Sequence, residues 1–341
     1  MKKLFALLLI LTLTLTAASA FAADESLEQT GKLTLYTSAS QAWIDNFIPA
    51  FEEATGITVD VQTGKTGELM SRIANEAENP YADIIIGAGE ALINASAEYF
   101  QPYVSPYDAE LPEAFHNKSG LFSKTNTTFS VLLVNTDLIG DIRVEGYADL
   151  LNPALKGRIA AGDPGSSTAS FNHLVNMLWA MSENHDPITD PSAAWEYIDK
   201  FTDQLNGIEI NSSSAVHQGV ASGEYLVGVS YENPGLEYME AGAPIRVVYM
   251  EEGVVPQNSG AAIVKDCKNL YSAQKLVDFM QSEEGQTITS LKTYGRALLP
   301  SVETPAFKCD MSTLPLLEID VNWAQNNTDA LIEQYQDIFT K

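Results

Sequence analysis

The run Asp163-Pro164-Gly165-Ser166-Ser167-Thr168-Ala169-Ser170 leads straight into an apolar stretch at residues 174–179. A Pro-Gly turn, then small hydroxyl residues, then apolar periodicity predicts a helix N-terminus, with several Ser/Thr side chains where one cap would suffice. The free N–H groups of a first turn, the positive end of the helix dipole and the hydroxyls of Ser166, Ser167 and Thr168 together make an anion cradle that needs no lysine. Thr66-Gly67-Glu68-Leu69 repeats the theme earlier in the chain. Thr66 reads there as a helix cap, and Gly67 lets an oxyanion approach the first-turn amides. Ser38 follows the first predicted strand and reads as a further contact, leaving Ser40 to cap the next helix.

Three more residues have side chains suited to a neutral, hydroxylated ligand. His217 follows Ser212-Ser213-Ser214 at a predicted strand-to-helix loop. Glu232 stands at the end of an apolar strand, where a buried acid needs hydrogen-bond partners. Tyr231, beside it, can stack on a ligand ring or fill a lobe core. Ser167, His217 and Glu232 can be drawn as a hydrolytic triplet, but so can many triplets in a chain this rich in serine. The sequence holds no Gly-x-Ser-x-Gly, no His-Glu-x-x-His, no phosphate-binding Gly-x-x-x-x-Gly-Lys-Ser/Thr and no clustered Cys/His. The expectation is a binding protein without cofactor or metal. A phosphate-ester hydrolase is the reading from another class, and the usual metal-ligand pattern for it is missing.

Met1-Lys2-Lys3, an apolar stretch to residue 18 and Ala20-Phe21-Ala22 predict a cleaved secretory signal peptide over residues 1–22. No Cys lies near the cleavage site, so a lipid anchor is not expected, and the compartment implied is the periplasm. Cys267 and Cys309 are the only cysteines; in an oxidising compartment they are expected to form one structural disulfide. With 19 Lys+Arg against 45 Asp+Glu the net charge is -26. Such a field opposes nucleic acid and anionic membranes, and requires a local, partly desolvated site for any small anionic solute.

These residues need elements to hold them. Residues 33–37, 57–62 and 82–87 read as strands separated by helices at 41–54 and 68–78, the mark of a parallel, doubly wound α/β sheet. A long apolar strand at 128–135 precedes a second α/β pattern. It contains strands at 157–161, 207–210, 225–230, 245–250 and 259–264, with helices at 194–204 and 272–281. No Pro/Gly-rich linker separates the halves, so the chain is expected to cross between two lobes on strands near 128–135 and 258–264. Residues 23–130 and 260–341 then form a discontinuous first lobe and 131–259 the second, with a cleft between them. The candidate residues fall in loops at strand C-terminal ends, where ligands of open α/β sheets bind.

Leu35-Tyr36-Thr37-Ser38, Thr66-Gly67-Glu68-Leu69, Ala82-Asp83-Ile84-Ile85, Asp163-Pro164 with its hydroxyl-rich turn, Ser213 to Glu224, and Gly228-Val229-Ser230-Tyr231-Glu232 stand in this order along the chain. In this the chain resembles the type 2 periplasmic solute-binding proteins of ABC transporters, in the branch of ferric-iron, 2-aminoethylphosphonate and hexose-phosphate binders. The resemblance implies a two-lobed fold, hinge closure on the solute, a monomer and an inner-membrane ABC permease as partner. Iron binders of the branch carry adjacent tyrosines late in the second lobe, where this chain has Tyr231 followed by Glu232. The hexose-phosphate pattern fits better. It places the phosphate on Ser38, Thr66, Gly67, Ser166, Ser167 and Thr168 and the sugar on His217 and Glu232, with Gln218 where the pattern has an acid. The solute implied is a sugar phosphate; ferric iron, a phosphonate or another oxyanion is the alternative.

Overall fold

The computed structural model describes residues 29–341 apart from Asn211; the expected signal peptide lies outside the described residues. Strand β1 (Lys32–Thr37), helix α1 (Gln41–Thr55), β2 (Thr58–Thr63), α2 (Thr66–Asn75), β3 (Ile84–Ile86) and α3 (Glu90–Ala95) open the chain. β1 lies between β2 and β3 and is parallel to both. Period-2 alternation sends Leu33 and Leu35 to one face, against Phe47 and Phe51 of α1. Tyr36 goes to the other, against Leu69 and Ile73 of α2.

The next strand, β4 (Ser123–Asn135), has 13 residues. At about 3.3 Å per residue it is roughly 43 Å long, enough to run through two cores. The middle of the chain then supplies β5 (Ile159–Ala160), α4 (Thr168–Met181), α5 (Ser192–Leu205), α6 (Ser213–Ala221), β6 (Val227–Tyr231), α7 (Glu232–Glu240), β7 (Ile245–Val248) and β8 (Pro256–Ile263). From Ser123 to Phe129, β4 pairs antiparallel with β8. From Ser130 onward it pairs antiparallel with β6 and β7. β8 also pairs with β3, so β4 and β8 carry the chain between a first sheet, β2-β1-β3-β8-β4, and a second, β5-β6-β4-β7. The parallel winding expected holds for β1 to β3 and for β5 with β6. The crossing strands are antiparallel to their neighbours, which makes both sheets mixed.

Helices α8 (Leu270–Gln281) and α9 (Glu283–Lys292) return to the first lobe, where Leu276 and Phe279 pack beside Phe47. The last helices, α10 (Val321–Asn326) and α11 (Thr328–Phe339), do not. Ala324, Leu331 and Tyr335 sit in the second lobe's core with Leu174, Leu178 and Phe201, and Trp323 meets Trp179 edge-on at 5.3 Å. The assignment of 260–341 to the first lobe is thus corrected for its final part. The chain crosses a third time between Arg296, bridged to Thr127, and Leu316, bridged to Val254. α10 also packs against α3 of the first lobe.

Two further expectations change. Residues 207–210 form only an isolated bridge, Ile210 with Gly162. The segments expected as loops around His217 and after Tyr231 are the helices α6 and α7. Ser212 caps α6 and Pro234 lies in the first turn of α7, where it is tolerated; Gly219 and Gly235 weaken the local helix signal, and packing overrides them. Gly228 of β6 lets α6 approach, since a Cβ there would meet Val220 Cγ2 at 2.7 Å.

If α11 belongs energetically to the second lobe, Leu331→Ala should cost about 2–5 kcal/mol and speed amide exchange in α5 while leaving α1 unchanged. Native-state hydrogen exchange reads this directly, and equal acceleration in α1 would contradict the assignment.

Candidate functional site

In the first lobe the structure brings Ser38 and Thr66 together. Thr66 Oγ1 lies 3.1 Å from Ser38 Oγ, and both hydroxyls donate to the Gly87 carbonyl, at 3.4 and 3.3 Å. Thr66 was expected to cap its helix, but the cap position is Lys65, which makes no side-chain cap bond, and Thr66 is the first helical residue. Its hydroxyl therefore faces Ser38, and the α2 first-turn amides keep no side-chain acceptor. Gly67 has open space where a Cβ would stand. Gly87 is needed for this arrangement: its φ is +96°, and a Cβ there would lie 2.3 Å from Ser38 Oγ. Ser40 caps α1, accepting from the Trp43 amide at 3.3 Å.

The second-lobe cradle is an Asp-led turn opening α4. The Asp163 carbonyl accepts from the Ser166 and Ser167 amides at 3.2 and 3.1 Å, and its carboxylate accepts from the Gly165 amide at 2.8 Å. Ser167 is the N-cap, accepting from the Ser170 amide at 3.3 Å. Ser166 donates to the Asp163 carbonyl at 3.4 Å. Ser166 and Thr168 are exposed. The turn is propped from behind by α11, where Gln336 Nε2 donates to Asp163 Oδ1 at 2.7 Å. Sequence reasoning missed this brace because its two ends are 173 residues apart.

β8 touches elements of both cradles. Gly260 O accepts from the Gly87 amide at 3.4 Å, and Gln257, three residues earlier, bonds Asn172 of α4 at 2.8 Å. Three strand residues span about 10 Å. A surface cavity lined by Ile73, Tyr99, Val264 and Lys265 belongs to the first lobe alone and contains none of the predicted contacts.

His217 lies on α6, 4 % exposed, with its ring edge-on to Tyr231 at 5.4 Å. Its Nε2 is buried and has no hydrogen-bond partner. Burial lowers its pKa from 6.5 to about 4, so at neutral pH it is an uncharged imidazole with an unmatched ring nitrogen. The half-buried Tyr231 has its phenol pushed up, by burial first and by Glu237 second. His173, expected within the α4 helix as packing or surface, is buried. It bonds the Tyr147 hydroxyl at 2.8 Å and the Ser230 carbonyl, and burial lowers its pKa to about 4.

Glu232 departs from its predicted role. Its carboxylate is fully buried and already satisfied. Arg296 Nε reaches both oxygens at 2.9 Å, Arg296 Nη2 reaches Oε1 at 2.6 Å, and the Tyr249 hydroxyl donates to Oε1. Glu232 opens α7, whose positive end also favours its charge. It is a joint between the lobes rather than an acceptor held open for sugar hydroxyls. Arg296 carried no sequence signal, because it stands in a loop outside every periodic segment. The disulfide expectation is also corrected: Cys267 and Cys309 are free. Cys267 accepts from Gln101 Nε2 at 3.3 Å within the first lobe, whereas Cys309 accepts from Arg296 Nη2 at 3.3 Å beside the ion pair. Among the described residues no group of three or more His, Cys, Asp or Glu is placed to hold a metal ion.

Removing the guanidinium alone, with Arg296→Met, leaves Glu232 buried and underpaired, and should cost about 3–5 kcal/mol in urea unfolding. The two buried histidines set a pH dependence. Their pKa values of about 4 lie below the unfolded value of 6.5. Between those limits the unfolded chain binds protons that the folded chain refuses. Stability should be complete above about pH 6.5 and fall on acidification toward pH 4, the slope diminishing by about one proton in His217→Gln. A slope unchanged by that substitution would show that His217 is not held neutral by the fold.

Comparison with known proteins bears on the fold and the family. A putative 2-aminoethylphosphonate-binding periplasmic protein of Salmonella typhimurium is 22% identical over 303 residues, covering 87% of this chain and 86% of that protein. Iron uptake protein A1 of Synechocystis is 24% identical over 283 residues, covering 80% and 77%. Among solved structures, the periplasmic binding protein AfuA of Actinobacillus pleuropneumoniae, with exogenous fructose-6-phosphate bound, aligns with a TM-score of 0.80 at 23% identity, covering 92% of this chain and 99% of that one. The fold is thus the two-lobed type 2 binding-protein fold. The model for bacterial extracellular solute-binding proteins matches residues 33–295, and this chain belongs to that family.

Proposed function

We propose that the protein is the periplasmic solute-binding component of an ABC importer, capturing a small phosphorylated solute, a sugar phosphate such as a hexose phosphate, and presenting it to an inner-membrane permease. The observation that carries a two-part ligand is the buried, unpartnered Nε2 of His217. A buried polar atom without a partner costs free energy, and a ligand hydroxyl would supply the missing bond. The phosphate half rests on Ser38, Thr66 and Gly67 from one lobe and Ser166, Ser167 and Thr168 from the other. Amide and hydroxyl donors hold an oxyanion without a countercharge. Contacts from both lobes exist together only when the lobes are closed, so binding draws the population toward closure. The expected signal peptide fits this compartment, and the action proposed is binding rather than turnover.

Iron is the second reading, favoured by the likeness to an iron uptake protein. Hard trivalent iron wants several anionic oxygens converging on it, and beside Tyr231 the Glu232 carboxylate is already taken by Arg296. The phosphonate reading shares the anion half of the site and leaves His217 without a hydroxyl partner.

The test is thermal-shift screening of protein unfolded, dialysed and refolded to strip carried-over ligand. Probes are glucose 6-phosphate, fructose 6-phosphate, 2-aminoethylphosphonate, inorganic phosphate and ferric citrate. A ligand at about a hundred times its Kd adds about 2.7 kcal/mol, and the hexose phosphates are expected to give the largest rise. His217→Ala should weaken hexose phosphate binding about tenfold or more, the worth of one buried hydrogen bond, and inorganic phosphate binding far less. Equal losses for both would remove the sugar half of the proposal.

A further inference from the structure

A relay of side-chain hydrogen bonds lies between the two cradles, and the ligand contacts proposed above do not use it. Asn172 stands four residues after Thr168 on α4 and so shares its face. Asn172 Nδ2 donates to Gln257 Oε1 at 2.8 Å, and Gln257 Nε2 donates to Ser130 Oγ at 2.6 Å. Ser130 is fully buried. It is the residue at which β4 leaves β8 and takes up β6, where it pairs with Tyr231. Gln257 is therefore bonded on one side to the helix that carries Ser166, Ser167 and Thr168, and on the other to the point where the chain passes between lobes.

We propose that Gln257 is a positioning residue of the hinge, holding the first turns of α4 at a set orientation to the crossing strands and thereby fixing where the second cradle meets the first. The proposal rests on the reading of Ser166, Ser167 and Thr168 as ligand contacts. Three observations support it. An amide bonded at both ends has one orientation, so the relay transmits geometry and not merely proximity. Asn172 and Gln257 are half-buried rather than core residues, so the second core does not depend on them. The rest of α4, from His173 to Ala180, is buried in its own lobe. That packing ties the helix to the second lobe, and Asn176, one turn further along α4, holds it to the residues just before β8, donating to the Gly253 carbonyl and accepting from the Val255 amide at 2.9 Å each. Of the bonds described, Asn172 to Gln257 ties the first turns of α4 to β8 itself.

The experiment uses the full mature chain, unaltered and as Gln257→Leu, Asn172→Leu and the double variant. Ligand-free amide exchange is followed over residues 170–173, and Kd is measured for inorganic phosphate and glucose 6-phosphate. Each single variant should speed that exchange about five- to tenfold, and the double variant no further, because one relay can be lost only once. Both Kd values should rise by a common factor of about ten, since the cradle is displaced for either ligand. Unchanged exchange in Gln257→Leu, or additive effects in the double variant, would overturn the proposal. A Kd loss with unchanged exchange would make Gln257 a ligand contact instead, which also overturns it. If neither probe binds the unaltered chain, the phosphorylated-solute reading fails while the exchange data still decide the relay. Should Gln257→Leu fold poorly, Ser130→Ala removes only the far hydroxyl and is expected to give a smaller acceleration at the same amides.

Discussion

The buried pair of Glu232 and Arg296 lies where the chain crosses between the lobes, and residues from both must come together to satisfy it. A carboxylate with no exposure costs several kcal/mol unless a hydrogen-bonded cation accompanies it. Arg296 meets that need only because its loop is held by other bonds: to Thr127 of β4, and through Lys308, whose ammonium donates to the Ser290 and Gly295 carbonyls at 2.8 and 2.7 Å. Drawing the loop to the junction brings the chain past the second lobe, where α10 and α11 then pack. The C-terminal helices are then held there by their own apolar contacts, Ala324, Leu331 and Tyr335 in the second core, and by the Gln336 to Asp163 bond. The ion pair also seats the start of α7 directly after Tyr231, beside the site.

The candidate site works against the charge of the molecule around it. At net -26 the long-range field repels an anion, so recognition has to come from short-range groups in a place of low dielectric. The groups supplied are neutral: first-turn amides of α2, the hydroxyls of Ser167 and Thr168, those of Ser38, Thr66 and Ser166 once they turn from the Gly87 and Asp163 carbonyls, and an imidazole kept uncharged by burial. Neutral donors accept an oxyanion without the desolvation penalty of a buried ion pair. Their arrangement is set by backbone features, namely the positive φ of Gly87 and the Asp163-led turn, rather than by long side chains. Such a site loses little conformational entropy when it closes on a ligand.

The fold class and the two lobes were legible in the sequence because each rests on local signals: strand and helix periods, Ser/Thr before an apolar run, and no linker between the halves. The exact starts of α6 and α7 were not legible. Ser212 caps α6 and Pro234 sits in the first turn of α7, where its missing N–H costs nothing, but Gly219 and Gly235 weaken the local signal and packing on β6 and β7 completes the helices. The polar first half of β4 was hidden for a related reason, since Ser123 to Thr128 lacks the apolar run that marked its second half.

By itself the sequence determined which residue types stand at strand ends and helix starts, and hence that small hydroxyl and glycine residues gather there in both halves of the chain. Only the tertiary structure decided how those groups are used. Thr66 turns its hydroxyl to Ser38 instead of capping α2. His217 is buried with one nitrogen unmatched, and Glu232 is taken by Arg296. Cys267 and Cys309 keep separate partners and stay free. The physical reason is the same in each case: hydrogen-bond and charge partners lie far apart in the chain, and a single sequence records the valence of a side chain but not which distant group fulfils it.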